Sequence, residues 1–310
     1  MSEVLLSVAI ITYNQEAYIS NTIESVLNQV KNLNVEIIIG DDCSTDKTRV
    51  ILENYRDRFP NIIKPIFNET NMGLIKNYFN VINHCSGKYI MECGGDDYWL
   101  PNKVQAQISF MESNPHIDFI YGKGRILKNG KMLNIFWGQE ISNLYFGEMV
   151  VPMQSSCMKR TIINQYIREE NPVEKNWFSE DYPFMIWLSK NANILFINNV
   201  NFVYRVLRKS LSHNVKIEKK IENIKCDYAM KLYFAKKYEN DNNLVKNIEN
   251  DCVLSIALVY ARLYKYTKCK LVMQEYKTYT NKMKFIKFLY GNVVTFYLLA
   301  FRLNLKSQIW

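Results

Sequence analysis

The sequence predicts an α/β fold: a doubly wound, mostly parallel sheet followed by a helical extension. Three observations carry this. Apolar runs of strand length alternate with helix-period segments from Val4 to Met91. The first two strands are almost continuously apolar, as strands covered by helices on both faces are. Polar and acidic clusters fall where the strands end, and an open parallel sheet binds its ligands at the carboxyl ends of its strands.

The elements follow in order. Val4–Thr12 is a buried strand, and Ile19, Ile23, Val26 and Leu27 recur at helical spacing between Glu16 and Gln29. Val35–Gly40 is a second buried strand. Ser44 or Thr45 is expected to cap a helix bearing Val50, Ile51, Leu52 and Tyr55. A short strand lies near Ile62–Phe67, Asn71-Met72-Gly73 is a turn, Leu74–His84 is a helix, and a strand runs through Tyr89, Ile90 and Met91. This β-α-β-α-β-α-β order implies parallel pairing with right-handed crossovers. Pro101 suits the first turn of a helix reaching Ser113. Phe119–Tyr121 is a strand, and Asn129-Gly130 between apolar runs signals a hairpin. Helices near Thr161–Arg168 and Tyr182–Lys190 and strands at Ile194–Ile197 and Phe202–Val206 complete residues 1–213, where no linker is visible. Those residues are expected to form one domain, with a nucleotide-binding half (1–100) and an acceptor half (101–213). From Ile217 the pattern is helical.

Composition narrows the class. The 310 residues are 48% hydrophobic and 22% charged with few Gly and Pro, which excludes disordered and collagen-like chains. Seven scattered cysteines without a Cys-x-x-Cys pair argue against a disulfide framework or a zinc site and for a reducing cytoplasm. No basic-then-apolar leader opens the chain. The formal charge of +9 is unevenly placed: residues 214–310 carry +10 and residues 1–213 carry −1. A local basic tail points to an anionic surface, nucleic acid or lipid. The charge lies outside the domain that would do chemistry and no recognition module is present, so nucleic acid is not the expected partner.

Three strand ends deliver polar groups to one rim: Thr12-Tyr13-Asn14, Asp41-Asp42 and Gly94-Gly95-Asp96-Asp97. Adjacent carboxylates on a loop can divide their work, one ligating a divalent metal while the other accepts hydrogen bonds from a sugar. Oxygen-only ligation favours Mg²⁺ or Mn²⁺. Gly-x-Gly-x-x-Gly after the first strand and a Walker lysine loop are both missing, which excludes dinucleotide-dependent dehydrogenases and P-loop enzymes.

Taken in order, the motifs resemble the family 2 glycosyltransferases, whose fold is GT-A, over roughly Leu5 to His213. Ser7–Asn14 looks like the family's opening strand and Ile23–Gln29 like its first helix. Asp41-Asp42-Cys43-Ser44-Thr45-Asp46 resembles the nucleotide-base loop, and Asn71-Met72-Gly73 the next turn. Gly95-Asp96-Asp97 stands where the family carries its Asp-x-Asp metal motif, and Ser179-Glu180-Asp181-Tyr182 resembles the motif bearing the catalytic base. The resemblance implies that Thr12, Tyr13 and Asn14 line the donor site, with Thr12 and Tyr13 at the uracil. It implies that Asp42 bonds the uracil N–H, Asp96 contacts the ribose or sugar, Asp97 ligates Mn²⁺ or Mg²⁺ on the diphosphate, and Asp181 is the general base.

One departure stands out. Where many relatives have Tyr-Arg-x-His, this chain has Tyr204-Arg205-Val206-Leu207, and Leu207 cannot ligate a metal. Arg205, Arg208 or Lys209 could neutralise the diphosphate instead, and His213 lies further on. The implied activity is inverting hexosyl transfer from a nucleotide sugar, UDP-linked by the base-loop resemblance, onto a glycan in cell-surface polysaccharide, O-antigen or capsule synthesis. A non-catalytic subunit of a membrane glycan-assembly complex is the alternative. Sugar-nucleotide pyrophosphorylases also use a parallel sheet, but their Gly-rich basic start loop is absent.

The tail fits this picture. After Glu275 there is no acidic residue, while Lys277, Lys282, Lys284, Lys287, Arg302 and Lys306 follow. Phe288–Phe301 is uncharged but shorter than the ~20 residues that span a bilayer. Its length and basic flanks suit an interfacial helix on anionic lipid. The expected protein is therefore cytoplasmic and peripheral on the inner face of the plasma membrane, with an acceptor such as a polyprenyl-linked glycan.

Overall fold

The structure is a computed structural model that describes residues 3–140, 145, 151–175, 177, 179–207, 216–277 and 281–307. The chain forms two compact units, residues 1–210 and 211–310.

The first unit opens with β1 (Leu6–Thr12), α1 (Ile19–Val30), β2 (Val35–Asp41), α2 (Thr48–Arg58), β3 (Ile63–Phe67), α3 (Leu74–His84) and β4 (Tyr89–Gly94). It continues with β5 (Tyr98–Trp99), α4 (Lys103–Ser113), β6 (Phe119–Lys128), β7 (Lys131–Trp137), β8 (Cys157–Lys159), α5 (Arg160–Glu170), α6 (Pro172–Lys175), α7 (Asp181–Asn191) and β9 (Ile194–Val206). The nine strands form one sheet in the order β3-β2-β1-β4-β8-β6-β9-β5, with β7 paired to β6. β3, β2, β1 and β4 are parallel, as the alternating pattern requires. β8 then joins antiparallel to both β4 and β6.

The core explains why the first strands read as apolar runs. Leu6, Val8 and Ile10 of β1 and Ile37 and Ile39 of β2 are buried against Ile19, Ile23 and Val26 of α1. Each such aliphatic side chain contributes roughly 1.5–3 kcal/mol when buried. The exception is Glu36, a carboxylate 2% exposed within β2. It accepts from Ser7 Oγ (2.6 Å), Ser86 N (2.6 Å), Ser86 Oγ (2.8 Å) and Lys64 Nζ (2.7 Å). The cluster ties the amino-terminal ends of β1 and β2 to the loop before β4.

Three expectations are corrected. Ser44 and Thr45 do not cap α2, which begins at Thr48; Asp46 Oδ1 accepts from Thr48 N (2.9 Å), and Ser44 is drawn into the loop by Asp41. The two strands expected at 194–197 and 202–206 are one strand, β9, because parallel pairing with β6 continues through register shifts at Tyr121–Gly124. In the tail, the apolar run is split at Asn292.

The second unit is helical: α8 (Ile217–Tyr238), α9 (Asn242–Arg262), α10 (Tyr266–Met273), α11 (Asn281–Gly291) and α12 (Val293–Ser307). Asn292 Oδ1 accepts from Val294 N (3.0 Å) and Thr295 N (3.3 Å), so it caps α12. Phe296 of α12 packs with Ala257 and Ala261 of α9 and with Cys269 and Met273 of α10, and Ala300 of α12 is buried. Val294 (65% exposed) and Leu298 (66%) face outward with Val293 and Tyr297. Among the described residues no helix is long and apolar enough to cross a membrane.

Candidate active site at the carboxyl rim of the sheet

Strand register brings the predicted residues together. Thr12 lies opposite Asp41, and Ile11 opposite Gly94, so the ends of β1, β2 and β4 share one edge. Thr12 is buried and donates from Oγ1 to Gln15 Oε1 (2.8 Å), while its carbonyl accepts from Asp42 N (3.0 Å). Tyr13 projects outward, 44% exposed, as an aromatic face at the strand end. Asn14 takes a left-handed conformation (φ 52°) that short polar side chains tolerate. Its Oδ1 accepts from Thr45 N (2.7 Å), and its N–H donates to Ser44 Oγ (2.9 Å). The β1 and β2 end loops are thereby stitched together.

Asp42 is placed on the rim but is already engaged. Its Oδ1 accepts from Met72 N (2.7 Å) and Asn68 Nδ2 (3.1 Å), and its Oδ2 from Gly73 N (2.9 Å). The carboxylate therefore shapes the Asn71–Gly73 turn. Oδ2 keeps one lone pair for a ligand N–H.

The Gly94–Asp97 loop turns back on itself through Asp97 N donating to Gly94 O (3.0 Å). Thr22 Oγ1, from α1, donates to Gly95 O (2.9 Å) and Asp97 O (2.6 Å). Asp97 is almost wholly buried, and its Oδ1 accepts from Arg205 N (2.8 Å). Burial, and then the neighbouring charge of Asp96, push the Asp97 carboxyl well above its ordinary value. Burial likewise raises Asp96, against the opposing pull of its own backbone N–H and of the Arg205 charge. Two adjacent carboxylates that resist ionisation suit a hard divalent cation, whose charge would relieve both. Among the described residues no group of three His, Cys, Asp or Glu converges on one point. A metal here would take its remaining ligands from phosphate and water, which is how Mg²⁺ is commonly held.

Arg205 arrives from β9, but its guanidinium does not project freely. It donates to Asp96 O and to Asn21 Oδ1 (2.7 Å), and it sits over the rings of Tyr98 (4.7 Å) and Tyr18 (5.4 Å). Its place in the structure is as a brace for the acidic loop. Arg208, Lys209 and His213 lie outside the described residues.

Glu180 and Asp181 stand at the start of α7. Asp181 Oδ1 accepts from Tyr182 N (2.7 Å) and from Ser179 Oγ. The rest of α7 anchors this end: Phe184 packs on Tyr166 (4.8 Å), and Trp187 Nε1 donates to Glu169 Oε2 (2.9 Å). Burial, then the charge of Asp181 and that of Glu92, push Glu180 up to about 8.

Glu92 is a member of this acidic group that the motifs did not mark. It is buried in β4 and accepts from Tyr78 Oη (2.6 Å). Burial pushes it up to about 7; the Tyr78 bond opposes this and the Asp181 charge adds to it. Lys103, also buried, donates to Gln107 Oε1 (2.5 Å) and Ser156 O (3.0 Å), and burial pushes it down to about 7. The available signal was a charged residue inside an otherwise apolar strand.

Against known proteins, the model of Glycosyl transferase family 2 matches residues 7–207. The chain belongs to that family. It is 30% identical over 223 residues to Escherichia coli WfgD, described as a UDP-Glc:alpha-D-GlcNAc-diphosphoundecaprenol beta-1,3-glucosyltransferase, covering 69% of this chain and 82% of WfgD. It is 33% identical over 132 residues to the putative teichuronic acid biosynthesis glycosyltransferase TuaG of Bacillus subtilis, covering 43% of this chain and 52% of TuaG. An uncharacterized Mycobacterium bovis protein is 32% identical over 143 residues, and that match spans only 44% of this chain and 41% of the relative. In structure, the chain resembles residues 1–349 of S. aureus TarS in complex with UDP-GlcNAc (TM-score 0.58, 16% identity, covering 98% of this chain and 91% of that one). It also resembles the mannosyltransferase PcManGT of Pyrobaculum calidifontis in complex with GDP-Man and Mn²⁺ (TM-score 0.57, 9% identity, covering 97% and 88%). These likenesses establish the GT-A glycosyltransferase fold.

Proposed function

We propose that this glycosyltransferase moves a hexose, with inversion, from a UDP-sugar to a hydroxyl of a polyprenyl-linked glycan during cell-surface polysaccharide, O-antigen or capsule synthesis. The observation that carries the proposal is the acidic rim itself: Asp96–Asp97 at the end of β4 and Glu180–Asp181 at the start of α7, in a sheet of GT-A type. The activity by which WfgD is described supports a UDP donor and a diphosphoundecaprenol-linked acceptor.

In the mechanism, Thr12, Tyr13, Asn14 and Asp42 hold the nucleoside, and Tyr13 offers its ring as a stacking face. Asp96 contacts the ribose or sugar. Asp97 would hold Mn²⁺ or Mg²⁺, which when bound supplies positive charge against the leaving diphosphate. Asp181 accepts the acceptor's hydroxyl proton as that oxygen bonds to the anomeric carbon, and the bond to the diphosphate breaks with its electron pair leaving on the nucleotide. The N-terminus of α7 favours the ionised form of Asp181 that a base requires. Arg205 braces the loop, and Arg208 is a candidate to meet the diphosphate. Residues 1–213 form the catalytic domain, with residues 1–100 holding the nucleotide and 101–213 the acceptor.

Residues 214–310 place the enzyme on the inner face of the plasma membrane. The apolar face of α12, in a stretch with six bases and no acid after Glu275, is suited to anionic lipid.

The decisive experiment uses Asp181→Asn. Asn retains an oxygen for the Tyr182 and Ser179 donors, so the loop keeps its shape while basicity is lost. The kcat for transfer should fall about 10²–10⁴-fold, with UDP affinity by calorimetry near wild type and tighter than GDP or ADP affinity. Wild-type transfer by the variant would remove Asp181 as base. An absence of both transfer and donor hydrolysis in the wild type, with UDP-sugars bound, would favour the non-catalytic alternative.

A further inference from the structure

β6 carries a strip of side chains that the donor motifs do not use. Residues two apart on a strand share a face. The register irregularities at β6 place their extra residues in β9 and β7, so β6 itself alternates without a break. Phe119, Tyr121, Lys123 and Arg125 therefore lie on one side of the sheet. α7 covers that side: Phe184 meets Phe119 edge-on, with ring centres 6.3 Å apart. Asp181 stands three residues before Phe184 and so shares its side of the helix. α7 feeds β9, whose first residue, Ile194, pairs with Phe119. The helix thus runs back along β6, and its Asp181 end lies toward the carboxyl end of the strand.

Beyond Tyr121 the strip turns basic. Lys123 Nζ lies over the Phe196 ring (5.9 Å), and the Arg125 guanidinium over the ring of Phe136 (5.8 Å), its cross-strand partner in β7. Arg125 is exposed, and Phe136 is 44% exposed. Among the described residues no carboxylate pairs with either cation. A ring attracts the charge but leaves the N–H donors for another acceptor. The same strand reaches the rim two residues later, where Leu127 pairs with Arg205, the residue whose N–H donates to Asp97. Two unpaired cations thus stand about 7 Å apart along a strand, on the side of the sheet that carries Asp181, with an exposed ring beside them.

We propose that Lys123 and Arg125 form an acceptor subsite that takes the diphosphate of a polyprenyl-linked glycan, with Phe136 against the first carbons of the lipid. The inference rests on the reading of Asp181 as base and of the acceptor as a lipid diphosphate. Charge complementarity selects the occupant: a diphosphate offers one anionic group to each cation, and Arg suits phosphate oxygens through paired N–H donors. A neutral glycan would leave both cations without a counterpart.

The test is calorimetry on the full-length protein with UDP and Mn²⁺ present. The probes are two lipids with the same sugar: GlcNAc-diphosphodecane and decyl GlcNAc, which lacks the diphosphate. Lys123→Gln and Arg125→Gln should each weaken binding of the diphosphate probe about ten-fold, the scale of a hydrogen bond to a charged group. Binding of decyl GlcNAc and of UDP alone should stay at the wild-type level. Arg125→Lys, which keeps the charge, should lose less than Arg125→Gln. Lys131→Gln is the control for general surface charge: Lys131 pairs with Lys128 at the hairpin tip, on the other side of the sheet from Arg125, and its loss should change nothing. Wild-type affinity for the diphosphate probe in a Lys123→Gln/Arg125→Gln double variant would overturn the subsite. So would an equal loss in Lys131→Gln, or a loss confined to UDP, which would assign these cations to the donor. Each of those results leaves the acceptor reading standing. A wild type that binds the diphosphate probe no better than decyl GlcNAc would overturn the lipid-diphosphate reading and this inference with it.

Discussion

Replacing Glu36 by Gln tests how the amino-terminal end of the sheet is held. Burial alone would raise the pKa of Glu36, but hydrogen bonds from Lys64, Ser7 and Ser86 outweigh it and hold the carboxyl at about 2 against an ordinary value of 4.5. At 1.36 kcal/mol per pKa unit, that difference corresponds to about 3 kcal/mol of pH-linked stability. The Lys64 side chain is 52% exposed, so its share is screened, and the working figure is about 1–3 kcal/mol. Because the folded pKa lies below the unfolded one, this stabilisation is complete above pH 4.5 and is lost as pH falls toward 2. Urea unfolding of wild type and Glu36→Gln at pH 7, 5, 4 and 3 measures it. At pH 7 the variant should be less stable, since one amide oxygen cannot accept from four donors and its NH₂ adds an unwanted fifth. The gap should narrow as the wild type is acidified. Stabilities that run parallel across the whole range would refute the idea that these hydrogen bonds hold Glu36 ionised.

Two further outcomes follow from the same physics. Glu180 is raised to about 8, so its ionisation is penalised in the folded state alone; wild type should lose stability relative to Glu180→Gln as pH rises from about 5 to 8, and equal thermal unfolding profiles would contradict this. In flotation assays, full-length protein should bind vesicles containing anionic phosphatidylglycerol and not neutral ones, and Val294→Glu/Leu298→Glu should abolish binding; unchanged flotation of the double variant would remove α12 as the contact.

The first half of the fold was legible because each element from β1 to β4 is long, strongly periodic and locally determined. The rim was legible for the same reason: once the strands are placed, their ends are placed. What escaped depends on distant partners. β8 is three residues long, and its pairing with both β4 and β6 has no local signature. The continuity of β9 comes from its parallel partner β6 and not from its own pattern. Glu92 broke the apolar run of β4, but a broken run does not say that Tyr78, sixteen residues before Gly94 in the preceding helix, will meet it. The break before α12 was written in Gly291-Asn292, yet the uncharged run around it masked the cap.

The site residues divide in a way that motifs alone do not reveal. Asp42 and Arg205 carry the charges that a ligand-centred view assigns to the donor, but in the fold each spends hydrogen bonds on backbone: Asp42 on Met72 and Gly73, Arg205 on Asp96. Thr22, from α1, adds two more links to the acidic loop through the carbonyls of Gly95 and Asp97. The carboxylates of Asp96 and Asp97 are thus held where burial disfavours their charge, an arrangement that is costly without a cationic counterpart. On the proposed reading, a donor diphosphate arriving with a divalent metal would bring that counterpart, so nucleotide and metal should bind with positive coupling. Rigid support and unfavourable charge are then two sides of one design: the loop cannot relax away from its own repulsion, and the ligand that relieves it is favoured.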